Sequence, residues 1–98
     1  MIEVIEFREV RRNTLRGFAK IRVLEWRMII SDIALHEKDG RRWAQLPTKP
    51  LVDRDGLPLR GDDGKQKYMR LISFDDRSIA DRFSDAVVKA VEAHGGAR

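Results

Sequence analysis

The chain has 98 residues, which is the length of one small domain. Its 20 lysines and arginines exceed its 16 aspartates and glutamates, and the formal net charge of +4 favours an anionic partner without identifying one. The absence of cysteine excludes a disulfide, a thiolate nucleophile and a thiolate metal site. No apolar run approaches the roughly 18 residues of a membrane span, and the alternating start lacks the pattern of a signal peptide, so we expect a cytoplasmic protein with no membrane partner.

The first half of the chain alternates apolar and polar residues, which predicts β-strands. Residues 2–11 form the first predicted strand, with a bulge where the alternation slips. Residues 15–24 form the second strand. One of its faces is small and apolar, and the other face is basic, with one aromatic ring among Arg16, Phe18, Lys20 and Arg22.

The third predicted strand, residues 27–37, is apolar on both faces, which indicates a central position in the sheet. We expect one of its faces to carry Ile29, Ile33 and Leu35, and the other to carry Met28, Ile30 and Ala34. An Asp39-Gly40 step then predicts a tight hairpin turn. Residues 41–47 return as a fourth strand, which Pro47 ends.

Residues 48–66 contain clustered prolines and glycines, which predict a long polar loop with room for a small hairpin of its own. Alternation resumes in residues 66–74, which form the fifth predicted strand. The loop holds an Asp53-Arg54-Asp55-Gly56 sequence that imitates the opening of a calcium loop. The next ligand position holds Leu57 in place of Asp or Asn, and no glutamate closes a twelve-residue loop, so we interpret the segment as a turn.

The apolar period then changes to three and four residues, which predicts an amphipathic helix over about residues 76–93. Asp75 or Asp76 would cap its start, and Gly95-Gly96 would end it, with residues 96–98 frayed. The predicted fold is therefore α+β: one domain, residues 1–98, with an antiparallel sheet of about five strands and one C-terminal amphipathic helix. Because one helix cannot cover such a sheet, we expect a homodimer.

Basic residues concentrate on the first two strands, and again on the fourth strand and in the long loop, where they could neutralise phosphates. Phe18, Trp43 and Tyr68 are interspersed and would stack on bases where exposed. The alternative is a basic surface that is merely solvated. The candidate contacts are Lys49, Arg54, Arg60, Lys65 and Lys67 in and beside the loop, with Arg16, Lys20 and Arg22 on the second strand.

Catalytic patterns are weak in this sequence. Its two histidines, His36 and His94, have no partner at a catalytic spacing, and capping or solvation accounts for both. We therefore expect no enzyme, no metal, no cofactor and no small-molecule substrate.

Two short motifs carry a resemblance to a known family. Ser31-Asp32-Ile33 and Leu46-Pro47-Thr48-Lys49 resemble the SpoVG (stage V sporulation protein G, septation regulator) family of small bacterial nucleic-acid-binding proteins, which has an Asp-Ile step and a Met-Pro-Ser-Lys-like sequence at these places. The likeness extends from Ile2 to about residue 93, with the same order of strands and a terminal helix.

The resemblance implies a dimer built by strand pairing that binds DNA and sometimes RNA and acts in transcription regulation. Only Lys49 corresponds directly to the family's Pro-Ser-Lys step; the other loop cations are assigned by position and charge. The loop also looks longer than the family pattern and has extra acids at Asp62 and Asp63. Two hypotheses stand: a largely non-sequence-specific nucleic-acid-binding homodimer, and a protein-interaction adaptor on the same fold that binds no nucleic acid.

Overall fold

The computed structural model of the protein describes residues 1–95, so the fraying expected of residues 96–98 lies outside the described residues. The α+β class and the C-terminal helix are confirmed. The elements in chain order are β1 (Ile2–Arg12), β2 (Leu15–Val23), β3 (Met28–Lys38), β4 (Arg41–Gln45), β5 (Thr48–Pro50), β6 (Tyr68–Arg70) and α1 (Arg77–His94).

The first four strands form one antiparallel sheet in the order β1-β2-β3-β4, so β3 occupies the predicted interior position. The β3–β4 hairpin closes on Asp39 and Gly40, whose φ angles of 54° and 79° are both positive. Positive φ at both central residues is typical of the type I′ turn, whose twist suits a two-residue hairpin. The Asp-Gly prediction is therefore confirmed.

The prediction of about five strands in one sheet is wrong. The alternating segment 66–74 forms only the three-residue strand β6, which pairs with β5 in a separate two-stranded sheet. β4 ends at Gln45, two residues before Pro47, and β5 then pairs with β6 at the returning end of the loop. We call residues 48–70 the arm.

The core lies between one face of the four-stranded sheet and α1, which contacts both edge strands, β1 and β4. Val87 and Val91 of the helix are completely buried there, against Ala19, Ile21, Ile33 and Leu35 of the sheet. Phe83 is half-buried at the margin of this core, and Ile79 is 41% exposed. The predicted apolar stripe of the helix therefore packs fully on the sheet only in its C-terminal half, at Val87 and Val91.

Both predicted helix ends are confirmed. Asp76 is the N-cap: its carboxylate accepts a hydrogen bond from the Ser78 hydroxyl at 2.7 Å and another from the Ile79 amide at 3.1 Å. These bonds, the Ser78 bond first, lower the pKa of Asp76 from its ordinary value. Gly95 ends the helix in the left-handed conformation, with φ of 87°.

Polar contacts fix the helix on β4. The Ala44 amide donates to the Ser84 hydroxyl at 2.8 Å, which satisfies a backbone group on this edge strand. Arg42 donates to Glu37 at 2.9 Å and also to Glu92 near the helix end. These two hydrogen bonds raise the pKa of Arg42 and link the helix to both β3 and β4.

A bulge in β3 reverses part of the predicted face assignment. Ala19 pairs with Ile33 and Ile21 pairs with Ile30, so Ser31 and Asp32 together oppose a single β2 residue. Asp32 accommodates the extra residue with a left-handed φ of 58°. The prediction that Ile29 shares a face with Ile33 and Leu35 is therefore wrong.

The β3 residues that precede the bulge lie on the faces opposite to those predicted. Met28 and Ile30 lie on the helix side with Ile33 and Leu35, whereas Ile29 is 53% exposed on the opposite face, which we call the outer face. β3 is thus less apolar on its outer face than the sequence pattern predicts.

The arm is organised by a triangle of backbone hydrogen bonds. Leu51 N donates to Lys67 O at 2.9 Å, Lys67 N donates to Leu59 O at 2.9 Å, and Leu59 N donates to Leu51 O at 3.0 Å. The Gln66 side-chain amide lies within 3.1 Å of the same three carbonyl oxygens. Three chain segments therefore meet at one amide group, although the arm has no buried apolar core of its own among the described residues.

Replacing Gly17 with alanine should destabilise the fold by about 1–3 kcal/mol, as overpacking typically does. A Cβ atom at Gly17 would lie 2.4 Å from Phe7 Cζ and 2.6 Å from the Arg8 carbonyl oxygen. Denaturant unfolding measures the change. Gly61→Ala is the matched control and should cost less than Gly17→Ala, because the atom nearest to its Cβ is an oxygen of the exposed Asp63 side chain at 3.1 Å and not backbone. Equal stability of the two variants would contradict the tight packing at Gly17.

Replacing Gln66 with alanine should loosen the arm without unfolding the sheet and helix, because the amide bridges only arm backbone. We expect faster amide hydrogen exchange at Leu51, Leu59 and Lys67, with an almost unchanged midpoint of thermal unfolding. Gln45→Ala, outside the arm, is the control. Unaltered exchange at these three amides would show that the side chain is not needed to hold the segments together.

Candidate nucleic-acid interface

The five predicted loop cations all lie on the arm and all are exposed. Lys49 is in β5, Arg54 is in the turn of residues 53–56, Arg60 and Lys65 flank the turn of residues 61–64, and Lys67 precedes β6. Within residues 1–95 none of the five forms an ion pair. Arg60 donates to the Gly64 carbonyl at 3.0 Å, which holds its guanidinium beside the turn.

Two of the arm's aspartates build its turns. The Asp53 carboxylate accepts from the Asp55 and Leu57 amides at 2.8 and 2.9 Å, and the Asp63 carboxylate accepts from the Lys65 amide at 3.0 Å. The segment that imitates a calcium loop is thus closed on its own backbone amides. Across residues 48–70, six cations stand against four aspartates, so the arm keeps a positive excess.

The predicted cations of β2 are differently placed. Arg22 donates to Glu3 at 2.5 Å, and Lys20 pairs across the strands with Glu6, so glutamates of β1 offset both charges. Arg16 donates to the carbonyls of Asn13 and Leu15 at the β1–β2 turn. The structure therefore does not join the β2 cations to the arm cations in one uniformly positive surface.

The outer face contains a polar cavity that is lined by Phe18, one of the three aromatic residues expected to stack on bases where exposed, and by none of the predicted contact cations. Its volume is about 330 Å³, within the range of small-ligand clefts. The Arg8 guanidinium lies over the Phe18 ring, 5.4 Å from its centre, on one side of this cavity. The complete lining is Arg8, Phe18, Asp32, Ala34, Gln45, Leu46, Pro47 and Thr48.

A second aromatic group stands beside it on β3 and β4. The rings of His36 and Trp43 are stacked, with centres 5.4 Å apart, and the Arg41 guanidinium lies 5.7 Å from the Trp43 ring. His36 forms two side-chain hydrogen bonds. Its Nδ1 lies 3.0 Å from Thr14 Oγ1, and its Nε2 lies 3.1 Å from Gln45 Oε1. A proton on Nε2 donates to Gln45 Oε1, so the contact with His36 orients the Gln45 amide.

The helix side of the sheet carries an apolar groove at the end opposite the β3–β4 turn. Its volume is about 510 Å³, and Trp26 at its rim, in the β2–β3 connection, is 71% exposed. The apolar part of the groove is lined by Met1, Ile2, Val23, Trp26, Met28, Ile30, Leu46, Ile72, Phe74, Ile79, Phe83 and Ala86. Exposed apolar surface of this kind marks interaction sites.

Residues 1–95 lack the side-chain grouping of a metal centre. No three His, Cys, Asp or Glu side chains in this range are placed so as to hold a metal ion together. The helix in this range falls short of the apolar character needed to cross a membrane.

Three comparisons with known proteins found no relative of this chain. The chain matches no family model, no curated protein and no solved structure.

Proposed function

We propose that the protein is a homodimeric, SpoVG-like regulatory protein of the bacterial cytoplasm that binds nucleic acid through its arm, largely without regard to base sequence. The observation that carries this proposal is the group of five exposed arm cations, Lys49, Arg54, Arg60, Lys65 and Lys67, none of which is neutralised by an ion pair within residues 1–95. No catalytic role is proposed for any residue.

The arm suits contact with phosphates for a physical reason. Its backbone triangle and its aspartate-closed turns fix the positions from which the long cationic side chains extend. Each cation that neutralises a phosphate releases condensed counterions, and this gain does not depend on the base attached. Arg16, Lys20 and Arg22 are secondary contacts in this proposal, because hydrogen bonds or facing glutamates already engage them.

The apolar groove supports the homodimer, with a second copy of the chain as its occupant. The groove offers exposed Trp26 and Phe74, and it opens beside the two segments where the arm leaves and rejoins the body, since Leu46 and Ile72 line it. Two copies joined there would bring two arms to one nucleic acid and raise its affinity through avidity. The same groove is the observation that favours the second candidate function, an adaptor that binds a different protein.

Replacing Lys49 and Arg54 together with glutamate should weaken binding to unrelated oligonucleotides by similar factors and leave the fold intact, since both side chains are exposed. The slope of log affinity against log salt on duplex DNA should become shallower by about 0.9 for each phosphate that the variant no longer neutralises. Fluorescence anisotropy at several salt concentrations measures both effects.

The matched control for this variant is Arg77→Glu with Lys89→Glu, which makes the same charge change at exposed positions of α1. Equal weakening by the control would mean that net charge, and not the arm, governs affinity. If the wild-type protein bound no DNA or RNA at low salt, the adaptor function would be favoured instead.

Light scattering at micromolar concentration should give about twice the chain mass of 11.4 kDa. Trp26→Asp should convert this dimer to a monomer, because it places a charge at the rim of the apolar groove. Ile29→Asp is the control, since Ile29 is an exposed apolar residue on the outer face. A wild-type monomer at every concentration, or dissociation by Ile29→Asp alone, would contradict the proposed interface.

A further inference from the structure

We infer that the outer-face cavity binds one unpaired base of a single-stranded nucleic acid, with the base stacked on Phe18. This inference rests on the proposed function and adds to it a substrate class, single strand, and a site distinct from the arm cations. It is carried by three features that meet at one place: an aromatic ring beneath a guanidinium, polar groups on the surrounding walls, and direct continuity with the arm.

The Arg8 guanidinium shows that the space over the Phe18 ring is open to a neighbouring side chain. Arg8 pairs with Phe18 across β1 and β2, and its guanidinium lies 5.4 Å from the ring centre. Every base has a flat π-face that stacks on an aromatic ring in the same manner. Arg8 is an exposed residue, so an entering base can displace its guanidinium towards the adjoining phosphate, where the charge remains useful.

The walls of the cavity supply partners for the edge of a base. Asp32 offers carboxylate acceptors, Thr48 offers a hydroxyl, and Gln45 offers an amide. The bond from His36 Nε2 to Gln45 Oε1 orients that amide, and the bulge fixes the backbone of Asp32. In a duplex the pairing edge is occupied and the flat faces are covered by neighbouring bases, so only an unpaired base can use both the ring and the walls.

The arm leads directly to this cavity. Thr48 is both a lining residue and the first residue of β5, where it pairs with Arg70 of β6. Lys49 follows it on the exposed side of the arm and pairs with Met69. A strand whose phosphate contacts Lys49 therefore lies next to Thr48 at the cavity, which places a backbone contact and base stacking on one path.

The experiment compares binding of one labelled oligonucleotide, as a single strand and annealed as a duplex, at fixed salt by fluorescence anisotropy. Phe18→Leu should weaken single-strand binding by about 5- to 150-fold, the range that follows from aromatic–base stacking, and should leave duplex binding almost unchanged. Phe18→Tyr keeps the ring and should retain single-strand affinity.

Phe7→Leu is the matched control, because Phe7 lies on the adjacent strand but packs on the helix side of the sheet. It should leave single-strand affinity unchanged at a temperature where circular dichroism shows every variant folded. Unchanged single-strand binding by Phe18→Leu, or an equal loss for strand and duplex, would overturn the base site while leaving binding by the arm intact. Absence of wild-type binding to both forms would overturn the proposed function as well.

Discussion

Burial of Val87 and Val91 against a single face of the sheet is the constraint on which the rest of the structure depends. These two valines complete a core with Ala19, Ile21, Ile33 and Leu35, and the contacts of Ser84 and Arg42 hold the helix in that place. Because a single helix covers one face, the outer face is left for charged and aromatic side chains. The division of the molecule into a core side and an uncovered outer face follows from this one packing arrangement.

The local order of the fold was predictable because it is encoded by neighbours in sequence. Strand alternation, the Asp39-Gly40 turn and the helix from Arg77 to His94 each depend on residues a few positions apart. The β3 bulge was not predictable in this way, since Ser31 and Asp32 interrupt an apolar pattern that remains apolar on both sides. The segment 66–74 likewise shows the alternation of a strand, but alternation does not specify which strand becomes its partner.

The candidate interface was likewise predictable only where it depends on residues that are close in sequence. Charge and turn composition placed the five arm cations in one region, and the structure shows them exposed there. The surroundings of the β2 cations were not predictable, because the facing acids, Glu3 and Glu6, are distant in sequence and come close only through strand pairing. The same long-range pairing sets Arg8 over Phe18 and brings Asp32 and Gln45 to one cavity. No short sequence motif predicts this arrangement.

The pairing of Thr48 with Arg70 has an evolutionary consequence. The chain enters and leaves the arm at adjacent points, so residues between them do not affect the register of the four main strands. Insertions in the turns at residues 53–56 and 61–64 would add only a small closure entropy, which grows with the logarithm of loop length. The arm can therefore diverge in length and charge among descendants of this chain while the body stays fixed, and a foreign peptide spliced into either turn would be displayed on an unaltered scaffold.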